Sequence, residues 1–295
     1  MNIIFEKLKQ KKILVSDGAW GTMLQSKGLK AGECPEEWNI SHPEEVKSIA
    51  AAYIEAGADI VLTNSFGGSE LKLSGFGYEN QTENFNRTAA QLSKEAAKDN
   101  IFVFGSVGPS GYLLAPLGTI TEDQMIANFK IQIKGLSEGG VDAILIETMT
   151  DLTEAITAVK AAREICELPV FVTMTFDKGK QGYRTMMGTT IEQAVNTLVE
   201  NNVDVLGTNC GNGIEQMVEI IAEFRQYTDK YLIAHPNAGL PRLVNGETVF
   251  DQTPNDMAKH VPGLIKAGAN IIGGCCGTRP DHIKAIAQQI KSYGY

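Results

Sequence analysis

The sequence predicts an α/β fold, a single closed (β/α)8 barrel. Three observations carry this: eight short apolar, β-rich runs, helical periodicity between them, and a turn signature that recurs before every second run. The runs begin near Ile13, Asp59, Ile101, Asp142, Pro169, Val203, Tyr231 and Ala269. Near-continuous apolar strands alternating with helices imply parallel strands buried on both faces. Eight such units are the number that closes a barrel. An open doubly wound sheet is the alternative, but no glycine-rich dinucleotide fingerprint follows the first run. No linker or low-complexity segment divides the chain, so residues 1–295 are expected to form one domain.

The elements follow in order. Met1 to Lys12 mixes apolar residues with Glu6 and several lysines and reads as a short amphipathic helix, without the apolar core of a signal peptide. Ser41-His42-Pro43 predicts a helix start, with Ser as cap and Pro early, ahead of Val46, Ile49, Ala50, Tyr53 and Ile54. Thr121 and Gln124 form a capping-box pattern before Ile126, Phe129, Ile133 and Leu136. A third amphipathic stretch holds Ile191, Ala194, Val195, Leu198 and Val199. The long segment 177–190, with Gly179, Gly182 and Gly188, reads as a mobile loop over the barrel mouth. Pro262 is expected to kink or split the helix before the last strand.

The recurring signature is Ala56-Gly57-Ala58-Asp59, Gly139-Gly140-Val141-Asp142, Asn201-Asn202-Val203-Asp204 and Ala267-Gly268-Ala269-Asn270. Each closes a helix and opens runs two, four, six and eight. Gly or Asn there suits a left-handed residue at the helix C-terminus.

Composition narrows the function. Hydrophobic content of 43% and charged content of 21% are ordinary for a globular protein. The net charge of −9, with no basic block, argues against nucleic-acid and anionic-membrane surfaces. No apolar run approaches a membrane span. Five cysteines, an odd number, without a secretory signal favour a reducing, cytoplasmic setting.

Barrel sites form at the C-terminal ends of the strands, and here those ends are unusually polar. They read Ser16-Asp17-Gly18-Ala19, Thr63-Asn64-Ser65, Glu147-Thr148, Asn209-Cys210, His235-Pro236-Asn237 and Cys275-Cys276. Cys210, Cys275 and Cys276 each close an apolar run that then meets Gly211 or Gly277. Three converging thiolates suit Zn²⁺, and three protein ligands leave the fourth position open, as in catalytic zinc sites. The plain alternatives are buried free thiols or a strained disulfide. Cys34 and Cys166 look incidental.

Asp17 and Glu147 together would hold a cationic group such as an amino-acid ammonium; otherwise they cap a turn and pair with a lysine. Gly18 and Gly21 free first-loop amides for a carboxylate, or simply make a tight turn. Asn64 and Asn237 would orient substrate or a metal-bound group, or satisfy loop backbone. His235 is an acid/base or ligand by type, but beside Pro236 it is more often structural.

The segments Asp17-Gly18-Ala19-Trp20-Gly21-Thr22, Thr63-Asn64-Ser65-Phe66-Gly67, Gly207-Thr208-Asn209-Cys210, Pro236-Asn237-Ala238-Gly239 and Gly273-Gly274-Cys275-Cys276-Gly277-Thr278 together resemble the homocysteine S-methyltransferase family. The resemblance covers nearly the whole chain and is closest to the homocysteine-binding N-terminal module of cobalamin-dependent methionine synthase. It implies a zinc barrel with Cys210, Cys275 and Cys276 as ligands. It further implies that Asp17 and Glu147 hold the amino group of homocysteine, that first-loop amides around Gly18 and Ala19 lie near its carboxylate, and that Asn237 sits close to the metal. Trp20 stands where Met or Tyr is expected in the family.

The implied reaction is S-methylation of homocysteine to methionine, with another small thiol as the alternative acceptor. A free thiol is only about 3% ionised at pH 7, and zinc would hold it deprotonated. Because the chain has the length of one barrel, the methyl group is expected from a separate methyl-corrinoid protein docking at the mouth. The rival donors are S-methylmethionine, S-adenosylmethionine and betaine. A sulfonium donor would favour aromatic walls, for which Trp20, Phe66 and Phe176 are candidates. A non-catalytic, zinc-stabilised barrel is the remaining reading.

Overall fold

The structure, a computed structural model, describes residues 2–97, 100–244 and 247–294. Its eight parallel strands are β1 (Leu14–Val15), β2 (Ile60–Leu62), β3 (Phe102–Val107), β4 (Ala143–Met149), β5 (Val170–Met174), β6 (Val205–Gly213), β7 (Tyr231–Asn237) and β8 (Ile271–Ile272). They pair in sequence order from β2 to β8, and β8 pairs with β1. A parallel bridge from Ser16 to Ile60 joins β1 to β2 and closes the ring. Each strand starts within two residues of its apolar run in the sequence. The longest helix between each strand and the next is, in turn, α1 (Pro43–Glu55), α2 (Thr82–Ala96), α3 (Glu122–Glu138), α4 (Leu152–Ile165), α5 (Ile191–Glu200), α6 (Ile214–Tyr227) and α7 (Pro254–Ala267), and α8 (Pro280–Ser292) follows β8. Among the described residues no helix is long and apolar enough to cross a membrane.

The barrel interior is filled from below by Leu14, Ile60, Phe104, Leu145, Phe171, Val205, Ile233 and Ile271. The N-terminal helix Ile3–Lys11 plugs this end, with Ile4 and Leu8 buried in the same cluster and Phe5 stacked on Tyr231 at 6.1 Å. Met1 lies outside the described residues. Above this apolar floor the inward positions turn polar, which places the site.

The recurring signature has a physical basis in all four copies. Gly57, Gly140, Asn202 and Gly268 adopt left-handed φ of 104°, 91°, 55° and 108°, the conformation that ends a helix and returns the chain to the sheet. Two residues further on, the side chains of Asp59, Asp142, Asp204 and Asn270 accept the backbone N–H of Val15, Val103, Val170 and Leu232 at 3.0, 2.7, 2.8 and 3.0 Å. Each of these strand starts also receives a basic side chain from the helix before the preceding strand. Lys11 reaches Asp59, Lys94 reaches Asp142, Arg163 reaches Asp204 and Arg225 reaches Asn270. The barrel's lower rim is thus stitched in four pairs of strands.

Three local expectations need correction. Ser41 does not cap α1: it lies in a short helix, Trp38–Ser41, and turns its hydroxyl back to Glu37 Oε2 at 2.7 Å, while Pro43 occupies the first turn as expected. The helix α7 carries Pro262 inside one continuous span, so of the expected kink or split the split does not occur. Segment 177–190 contains a hairpin, Asp177–Gly179 with Gly182–Arg184, in place of a structureless loop. Lys178 Nζ and Tyr183 Oη both bind Glu219 Oε2 on α6 at 2.7 Å, which ties the hairpin to the barrel wall. The capping box at Thr121 and Gln124 is present.

Candidate active site

Sulfur chemistry is positioned by two strand ends. β6 carries Cys210 in a left-handed conformation, φ 59°, followed by Gly211 at 68°. This reversal turns the thiol toward the tip of β8, where Cys275 and Cys276 precede Gly277 at φ 79°. The three sulfurs lie within 4.8 Å of one another, with Cys210 Sγ 3.9 Å from Cys276 Sγ. Zinc–thiolate bonds of about 2.3 Å at tetrahedral angles require S···S separations of about 3.8 Å. The trio therefore fits a metal ion of that kind.

Its electrostatics agree. Hydrogen bonds from Cys275 and Cys276 pull the Cys210 thiol well down, and Asn237 also contributes. The same bonds, together with burial, push Cys275 and Cys276 up, because a second thiolate would face the first. One thiolate in the trio disfavours a second, and a divalent cation would remove that obstacle to ionisation.

These sulfurs form one end of a cavity of about 400 Å³. Its walls come from the first loop (Gly18 to Thr22), Asn64 and Phe66 after β2, Ser106 on β3 and Glu147 with Thr148 on β4. Glu147 accepts a hydrogen bond from Ser106 Oγ, and burial raises its carboxyl to about 7, with Asp17 adding to the rise. Asp17 sits one layer back. Its Oδ2 accepts Trp20 Nε1–H and Leu62 N–H, both at 2.8 Å, and burial raises it to about 7 as well.

The other sequence-predicted residues divide. Gly18 lies where a Cβ would come within 2.6 Å of Thr278 Oγ1, so the first loop and the β8 loop meet only because that position is glycine. The Ala19 amide already donates to Thr278 Oγ1 at 3.1 Å. The next helix, Trp20–Ser26, starts without a side-chain cap and turns its first residues to the cavity. Asn64 spends its Nδ2 on Pro35 O and Asn39 Oδ1 at 2.7 and 3.0 Å, so it builds the wall. Asn237 is buried beside Cys210 with its Oδ1 unpartnered among the described residues. His235 is buried, its Nε2 also unpartnered, and burial pulls it down to about 4, which keeps it neutral. Trp20 and Phe66 line the cavity, whereas Phe176 is core, packed edge-on against Phe224 at 5.7 Å.

Two residues escaped the sequence reading. Glu36 reaches the cavity wall fully buried, with Oε1 accepting Gly67 N–H at 2.6 Å, and burial raises its carboxyl. In sequence it is half of an acidic pair that looks like solvated surface. Asn209 was visible only as the neighbour of Cys210, yet its side chain is wholly buried at the centre of the site.

The sequence model for homocysteine S-methyltransferase matches residues 14–290. The chain belongs to that family. It is therefore a methyltransferase of the homocysteine S-methyltransferase type. Among solved structures, it is similar to the metallated form of the homocysteine methyltransferase MmuM from Escherichia coli, at 22% identity and a TM-score of 0.80, over 96% of this chain and 98% of that one. The apo form of the same protein matches at 23% identity and a TM-score of 0.76, over 96% and 97%. The carboxyl transferase domain (Y628A) of Rhizobium etli pyruvate carboxylase matches at 13% and 0.52, over 96% of this chain and 48% of that one. At these identities the likeness is one of fold.

Proposed function

We propose that this methyltransferase is zinc-dependent and converts homocysteine to methionine with a methyl group delivered by a methyl-corrinoid protein, residues 1–295 acting as one cytoplasmic domain. The observation that carries the proposal is the sulfur trio, spaced for tetrahedral coordination, in one cavity with Glu147. Bound by Cys210, Cys275 and Cys276, zinc would supply the Lewis acidity that favours an acceptor thiol in its deprotonated form. Glu147, backed by Asp17, would hold the substrate ammonium. The uncapped first turn at Trp20 to Thr22 offers amides for the carboxylate, while Gly18 and Ala19 fix the loop that presents them. Asn64 shapes the wall and Asn237 supports Cys210. The cavity walls would exclude water around the acceptor sulfur.

Delivery by a protein is supported by the mouth itself. Phe66, Leu113, Leu117, Met186, Leu240 and Leu243 are all exposed large apolar residues on the segments that follow the strand C-terminal ends. Apolar surface concentrated on one rim marks an interaction face. A small cationic donor, such as S-methylmethionine, S-adenosylmethionine or betaine, is the second reading. Glu36 lines the same cavity as Trp20 and Phe66, which favours it, since a carboxylate and aromatic faces attract a sulfonium or ammonium.

Parallel assays decide the donor: homocysteine with a methyl-corrinoid protein, S-methylmethionine, S-adenosylmethionine or betaine. Methionine formed only with the corrinoid protein supports the first reading, and only with a small donor the second. X-ray absorption on the zinc-loaded protein tests the acceptor: homocysteine should add a Zn–S contact at about 2.3 Å. An unchanged coordination shell, with no turnover, would return the protein to a zinc-stabilised barrel.

A further inference from the structure

We infer that Asn209 is a positioning residue that locks the Glu147 side of the cavity to the sulfur trio. The inference rests on the methyl-transfer reading of this cavity, and it concerns how the two halves are held in register. Asn209 lies midway along β6, directly before Cys210, with no exposed surface. Its Oδ1 accepts the Thr148 amide N–H and the Thr173 hydroxyl, each at 2.8 Å. Its Nδ2 donates to Thr148 Oγ1 at 2.7 Å and points at Cys275 Sγ at 3.8 Å. Its own carbonyl accepts Thr175 Oγ1 at 2.9 Å. One amide therefore touches β4, β5 and the β8 tip, and the next residue along the chain is Cys210.

The Thr148 contacts explain the geometry. Thr148 has φ 62°, a left-handed conformation that a β-branched residue adopts only when its surroundings over-determine it. Asn209 grips Thr148 by both its amide and its hydroxyl, so the strained, irregular end of β4 is held where Glu147, the preceding residue, projects into the cavity. The Cys275 contact acts on the other half. An N–H aimed at a sulfur orients it and withdraws charge from a thiolate, as outer-shell partners of metal ligands do. A side chain that merely filled space would need neither the double grip nor the sulfur contact.

The test uses the full-length protein in four forms: wild type, Asn209→Ala, Thr148→Gly and the double variant, with Asn209→Asp as a fifth. Thermal melting of the metal-free proteins reads the grip. Asn209→Ala should lower Tm, and Thr148→Gly should recover much of that loss, because glycine accepts positive φ without a clamp. Chelator competition on the zinc-loaded proteins reads the sulfur contact. Asn209→Ala should weaken zinc retention roughly tenfold or more, and Thr148→Gly should not restore it. Asn209→Asp keeps the shape and the Oδ1 contacts, lets the Thr148 hydroxyl turn to donate to the new oxygen, and replaces the N–H facing sulfur by an acid, so it should weaken zinc retention while melting closer to wild type than Asn209→Ala does. In homocysteine titrations the KM rise of Asn209→Ala should exceed its fall in kcat, with KM partly recovered in the double variant.

Additive Tm losses with unchanged zinc retention would overturn the inference and leave Asn209 as core. Failure of the wild type to methylate homocysteine would defeat the proposed function instead, and the melting and chelator readouts would still report on the clamp.

Discussion

At the residue scale the site is governed by burial acting on acids. Asp17 and Glu147 are each raised to about 7, with desolvation as the largest cause. An ammonium beside them would favour their ionised forms, so its binding should release protons near and below pH 7. Homocysteine affinity should therefore weaken as pH falls through about 7, and Glu147→Gln should flatten the profile while weakening binding; calorimetry in buffers of different ionisation enthalpy measures both. Without substrate the linkage runs the other way. A carboxyl raised in the folded state contributes stability that is present below its unfolded value of about 4 and lost as pH rises through about 7. Denaturant unfolding of the ligand-free protein should show that decline, smaller in Glu147→Gln. The sulfurs behave differently, since each is held to the others. Ser at any one of Cys210, Cys275 or Cys276 should abolish stoichiometric metal retention and lower activity by more than about 100-fold. Metal analysis after gel filtration, compared with turnover, checks it.

At the element scale, the four stitches along the lower rim are the most regular feature. In three of them an aspartate accepts a strand N–H, and in the fourth Asn270 does the same. The neutral amide at 270 indicates that the hydrogen bond, more than the adjacent half-exposed ion pair, is what the position requires. Asp142→Ala leaves the Val103 N–H without its partner and should cost about 1–2 kcal/mol. Asp142→Asn should cost distinctly less. Equilibrium unfolding of the two variants side by side tests the ranking; equal losses would assign the effect to Lys94. The same elements show where local rules were overridden. Ser41 had the right type for a cap but was drawn into a short helix by Glu37, and segment 177–190 had the glycines of a mobile loop but gained a hairpin anchored on Glu219.

At the scale of the whole molecule, the barrel separates stability from chemistry. Its lower end is sealed by Ile4 and Leu8, while its upper end carries three thiols, a buried carboxylate pair and a rim of exposed apolar loops. If that rim receives a methyl-carrying protein, Leu117→Lys with Leu243→Lys should lower kcat/KM for the protein-bound donor about tenfold or more, the weight of a few lost apolar contacts. Transfer from free methylcobalamin should be unchanged. A loss with both donors would place these residues in the fold and not at the interface.

The eight-unit barrel, the four left-handed turns and the convergence of three cysteines were legible in the sequence, because strand periodicity, glycine at a helix end and cysteine at a strand end are local signals that burial of both sheet faces preserves. The roles of Glu36 and Asn209 were not. Glu36 reads as solvated charge until the first loop folds over the mouth, and Asn209 gains its partners from β4, β5 and β8, far away in sequence. Asp17 likewise follows the first strand, yet its hydrogen bonds to Trp20 and Leu62 set it a layer behind Glu147. Sequence alone therefore determined which elements form and which residues reach the strand ends. Tertiary structure decided which of those residues face the cavity and which brace it, because burial and hydrogen-bond partners are properties of neighbours in space.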